Sequence, residues 1–66
     1  MKLQINGDSR DVAEAADVQA LVAALGLPAP VTLVEHNGVA LRREEWVGRG
    51  LQEGDRLEII RIVAGG

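Results

Sequence analysis

The sequence predicts an α+β fold in which one main helix packs on one face of a mixed sheet of four to five strands. Three observations lead there. Only one segment, residues 17–25, carries a clear helical spacing of apolar side chains. Runs near residues 2–6, 31–42 and 56–63 alternate or concentrate β-branched and aliphatic residues, as strands do. The helix also lies between an N-terminal hairpin and everything that follows, so it can serve as the crossover that parallel strands require.

Each element has its own justification. In "KLQIN", Leu3 and Ile5 fall on one strand face. Asn6-Gly7-Asp8-Ser9 is rich in turn formers and should reverse the chain into a second short strand around Arg10–Ala13. Asp17 is a good N-cap, followed by Val18, Leu21, Val22 and Leu25 on one stripe. Gly26 supplies the left-handed stop, and Pro28 prevents resumption. Leu27-Pro28-Ala29-Pro30 is a stiff connector. "VTLVEHNGVALR" reads as a hairpin about an Asn37-Gly38 turn, with Val34 opposite Leu41 on the face shared with Val39. Val31 and Leu33 then point the other way. Residues 42–56 form a polar crossover with one helical turn near Glu44–Val47. After the turn at Glu53-Gly54-Asp55 comes the last strand, "RLEIIRIV".

Pairing the first and last strands in parallel at the sheet centre buries the single helical stripe and keeps the crossover short. That is a β-grasp, or ubiquitin-like, arrangement, with residues 1–63 as one domain and residues 64–66 as a flexible tail. With 66 residues the chain buries only about 60% of its unfolded surface. Its core must be aliphatic, because it has one Trp and no Phe or Tyr. Absence of cysteine rules out disulfides, thiolate nucleophiles and Cys-held zinc. The net charge of −3 argues against general nucleic-acid binding. There is no apolar stretch of membrane-spanning length, and Met1 begins no signal-type leader, which points to a cytoplasmic protein.

Catalytic sets are missing. His36 is the single histidine, beside a turn and without a nucleophile, so it reads as an ordinary strand-end residue. Asp8, Asp11, Glu14 and Asp17 lack the glycine and closing Glu of a calcium loop, and read as a solvated edge plus one cap. Gly48, Gly50 and Gly54 are turn glycines, with no strand–helix frame for a phosphate loop. No metal-ligand set and no stably bound cofactor are expected.

The remaining features concern partners. Trp46 has two readings, a half-buried lid on a small core or a contact for another protein. In the last strand Leu57 and Ile59 should face the helix. Ile60 and Ile62 then lie on the uncovered face, unless a bulge tucks one inward; if exposed they form a patch at the root of the tail. Ala64-Gly65-Gly66 has almost no side-chain width and could thread a narrow channel. A Gly66 carboxylate becomes an acyl donor only after activation, which a nucleotide-using partner would have to provide.

"VEHNGVALRREEW" followed by "LQEGDRLEIIRIVAGG", with the opening "MKLQING", resembles the ThiS family, the sulfur carriers of bacterial thiamin biosynthesis. The strongest elements are Asn37-Gly38, Trp46, Gly54-Asp55 and Gly65-Gly66. The resemblance implies that an E1-like adenylyltransferase (ThiF-type) uses ATP to adenylate Gly66. A sulfur donor system would then leave a thiocarboxylate there, and thiazole synthase (ThiG-type) would accept the sulfur. Ala64 and Gly65 map onto the flexible approach; the family often has glycine where Ala64 stands. Two relatives share the fold and the terminus. One is the small subunit of molybdopterin synthase, whose typical proline pair is absent from Arg61-Ile62-Val63. The other is the prokaryotic ubiquitin-like modifier.

Overall fold

A computed structural model describes residues 1–63; the expected tail, residues 64–66, lies outside the described residues. Strand β1 (Lys2–Ile5) turns into β2 (Asp8–Asp11) in an antiparallel register that pairs Ile5 with Asp8. The turn is only Asn6-Gly7, at φ 52° and 85°, the two positive values that a mirror-image hairpin turn requires. Asp8 and Ser9 therefore belong to the strand, and β2 begins two residues before the expected Arg10. The second hairpin repeats the device at Asn37-Gly38, at φ 50° and 85°, between β3 (Thr32–His36) and β4 (Val39–Leu41). Val34 pairs with Leu41 as expected. Val39 falls on the expected face, but it pairs with buried His36 at the hairpin tip, beyond the core, and is 48% exposed.

The helix α1 (Val18–Ala24) is short, and both of its ends are tied by hydrogen bonds. Helices of this length are marginal alone, since nucleation is costly and few bonds follow. All four N–H groups of its first turn have acceptors. Val18 N–H donates to Arg49 O and Gln19 N–H to Trp46 O, while Ala20 N–H donates to Asp17 Oδ1 and Leu21 N–H to Asp17 O. At the other end Gly26, at φ 72°, donates to Ala23 O, and Leu27 donates to Val22 O, which is the Schellman arrangement. Val18, Leu21 and Val22 face the sheet and are buried. Each such side chain contributes about 1.5–3 kcal/mol relative to exposure.

The connector is a 3-10 turn at Ala29–Val31, and Thr32 Oγ1 donates to Pro28 O to close it. A second 3-10 turn, Arg43–Glu45, sits one residue before the expected Glu44. It begins where Glu45 Oε1 accepts from Arg42 N–H at 2.7 Å. The last strand, β5 (Arg56–Arg61), lies at the centre of a five-stranded sheet ordered β2-β1-β5-β3-β4. It is parallel to β1 and antiparallel to β3. This is the expected β-grasp: one α-helix across one face of a mixed sheet, with Leu3, Ile5, Val34 and Leu57 beneath it.

Candidate functional site: the open face and the root of the tail

In β5 the side chains divide cleanly. Leu57 is 1% exposed and Ile59 packs against the core, while Ile60 and Ile62 are 58% and 47% exposed on the uncovered face. No bulge tucks either inward. Opposite Ile60, across the β3–β5 ladder, stands Leu33, 51% exposed. Alternation in the β3 sequence already turned Leu33 away from the core; the cross-strand register is what adds it to the same patch. The root itself is held on both sides. Ile62 N–H donates to Val31 O at 2.7 Å, one residue past the strand. On the β1 side, Asn6 Oδ1 accepts from Ile59 N–H at 2.7 Å, and Asn6 Nδ2 donates to Ile59 O at 3.0 Å. A side-chain amide thus continues the ladder where β1 has already turned away. Ala64, Gly65 and Gly66 lie outside the described residues.

Of the two readings of Trp46, the core one holds and the partner surface is corrected: the residue is 1% exposed, buried more deeply than a lid, and offers no surface to a partner. Trp46 is the largest fully buried side chain of the core, and it borders a cleft with Val22, Ala23 and Leu27. Arg43 covers the ring at 5.1 Å from its centroid, a contact of about 0.5–1 kcal/mol at exposed sites.

His36 is also more than an ordinary strand end. It is 5% exposed and joins the crossover to the base of β5. Arg49 Nε can only donate, so it fixes His36 Nδ1 as the acceptor at 2.9 Å. The ring proton then sits on Nε2, which donates to Asp55 Oδ2 at 2.7 Å. Asp55 also accepts from Gln52 N–H at 2.9 Å and from Asn37 Nδ2 at 3.1 Å. Burial alone would raise the Asp55 carboxyl. The bonds from His36, Gln52 and Asn37 outweigh it and hold the group below its ordinary value. Asn37 closes the cluster by accepting from Arg56 N–H at 2.8 Å. No local signal announces this cluster, because Arg49 and Asp55 lie 13 and 19 residues from His36. It sits at the opposite end of β5 from the tail and contains no nucleophile, so it is a clamp.

Asp17 is the expected cap and something further. Its Oδ2 accepts from Gly48 N–H at 2.9 Å, fastening the crossover to α1. The bonds from Gly48 and Ala20 hold its carboxyl below the ordinary value. Among the described residues no three His, Cys, Asp or Glu side chains gather as a metal site. No described helix is long and apolar enough to cross a membrane.

Against this geometry, residues 3–66 match the model of the ThiS family. The chain is similar to the crystal structure of a thiamine biosynthesis protein (ThiS) from Geobacter metallireducens, at TM-score 0.83 and 33% identity, with both chains fully covered. A solution structure of a thiamine biosynthesis protein from the same organism matches at TM-score 0.80 and 35% identity, covering all of this chain and 88% of that one. The chain is also 33% identical, over its full length, to part of a thiazole synthase from Paramagnetospirillum magneticum, of which it spans 20%.

Proposed function

The chain belongs to the ThiS family of ubiquitin-like sulfur carriers, and on that premise we propose that its chemistry resides in the Gly66 carboxylate. A carboxylate oxygen attacks the α-phosphorus of ATP on an E1-like adenylyltransferase and releases pyrophosphate. Hydrosulfide delivered by a donor system then adds to the acyl carbon, loses its proton and expels AMP, leaving a thiocarboxylate. Thiazole synthase is the acceptor of that sulfur, for the thiazole ring of thiamin. The carrier itself supplies no catalytic group, binds no cofactor stably, and works in the cytoplasm with these partners alone, without nucleic acid or membrane. Residues 1–63 act as the domain, Ala64 and Gly65 as the reach, and Gly66 as the site.

One observation carries the reading: the family match runs through Gly66, directly beyond a central strand whose last residues are anchored on both sides. The exposed Leu33, Ile60 and Ile62 at that root supply the surface on which an activating partner docks. A thiazole synthase that contains a stretch like this chain supports thiazole synthase as acceptor, because joining donor and acceptor raises their effective concentration. The relatives named for thiamine biosynthesis favour that branch over the molybdopterin one.

Intact-mass measurement tests the proposal, after incubation with the adenylyltransferase, ATP and a sulfur donor. The expected product is heavier by the replacement of one oxygen with sulfur, and deletion of Gly66 abolishes it. An unchanged mass with a demonstrably active partner defeats the reading, and lysine adducts in its place would assign the chain to the protein modifiers.

A further inference from the structure

The uncovered sheet face has a second feature next to the apolar patch. In the β3–β5 ladder Glu35 pairs directly with Glu58, one step along the same face from the Leu33–Ile60 pair. Directly opposed residues in an antiparallel pair have β-carbons about 4.5–5.5 Å apart, and like charges there destabilise the sheet. Neither carboxylate has a salt-bridge partner within 4 Å: among the described residues the ion pair is Met1 with Asp11, and His36 donates a hydrogen bond to Asp55. The two glutamates line two clefts. One, of about 140 Å³, is shared with Leu33, Ala40 and Ile60; the other, of about 210 Å³, is shared with Gly38 and Arg56. Arg56, at the start of β5, shares the second cleft without an ion pair to either.

We infer that the Glu35–Glu58 pair is a socket for an arginine of the docking partner, set beside the apolar contact made by Leu33, Ile60 and Ile62. The inference rests on the sulfur-carrier reading, which makes the adenylyltransferase the partner at this face. A guanidinium presents several N–H donors in one plane and can bind two carboxylates at once, which a point-like ammonium does less well. Two effects then add on association. The new charge-assisted bonds form beside apolar surface that loses its water, and the repulsion present in the free carrier disappears. An acidic pair that weakens the free sheet yet strengthens the complex leaves a signature that no purely structural pair would leave.

The test uses the full chain and the purified E1-like adenylyltransferase encoded in the same genome. Binding is followed by calorimetry at low and high salt, with thermal melting of the free carrier and thiocarboxylate formation measured in parallel. Glu35→Gln combined with Glu58→Gln should weaken binding roughly tenfold and flatten its salt dependence. The same double variant, free, should melt at an equal or higher temperature. Glu44→Gln, an exposed acid in the crossover, should leave affinity unchanged. If wild-type carrier binds and is converted while the double variant binds within about twofold and with the same salt slope, the socket is wrong and the carrier reading stands. A lower melting temperature of the free double variant also overturns it, since the pair would then be stabilising. If the wild-type chain neither binds nor is converted, the carrier reading fails and the socket with it.

Discussion

Replacing Asn6 with alanine removes two contributions that can be separated. Asn6 sits at φ 52°, where a β-carbon costs about 1–2 kcal/mol unless a short polar side chain offsets it. Its amide also holds both backbone groups of Ile59, at 2.7 and 3.0 Å. These bonds are open to solvent, so each is placed at the lower end of the usual range, about 0.5 kcal/mol. Asn6→Ala should therefore cost about 2–3 kcal/mol. Asn6→Gly keeps the backbone conformation and loses the bonds, for about 1 kcal/mol plus a few tenths from the freer unfolded chain. Urea denaturation followed by circular dichroism reads both. With a slope of about 1 kcal/mol per molar, typical of small domains, the midpoints should fall by roughly 2–3 M and 1 M. Amide exchange at Ile59 should accelerate in both variants. Equal midpoints for the two variants would remove the left-handed backbone from the account, and unchanged exchange at Ile59 would remove the clamp.

Two further outcomes follow from the same geometry. Asp55 and Asp17 are held below the ordinary carboxylate value of 3.8, so the stability they supply is complete above about pH 5 and is lost as the pH falls through their lower folded values. Asp55→Asn should cost about 1–2 kcal/mol at neutral pH and flatten the acid limb of the stability profile, whereas a parallel profile would contradict the assignment. Serine at Leu33, Ile60 and Ile62 together should change folding stability little per site, within about 0.5 kcal/mol. Thiocarboxylate formation should nevertheless fall by roughly tenfold or more, as loss of an interface centre does; undiminished conversion would move the docking surface elsewhere.

The fold was legible because its signals are local. Asp17 with Gly26, and each Asn-Gly pair, announce a boundary within a few residues, and the alternation of Leu57 and Ile59 with Ile60 and Ile62 assigns β5's faces. What was missed depends on contacts across the chain. Nothing near His36 announces that Arg49 and Asp55 will enclose it. Trp46 follows a charged run and looks like surface, yet its ring is buried in the core with Arg43 over it. Val39 shows the reverse, an apolar side chain on the inner face that the core does not reach. Alternation turns Leu33 outward, but its place beside Ile60 depends on the register.

The central position of β5 has a consequence for how the protein is made. A ribosome releases the chain from its N-terminus, so β1 and β3 emerge long before the strand that lies between them. Until residues 56–61 leave the exit tunnel, β1 has only β2 for a partner and β3 only β4, two isolated hairpins of the kind that is marginal in water. The sheet can close only when the segment leading to Ala64 has been translated. A product cut short before β5 lacks the strand that joins the two hairpins and stays open to proteases.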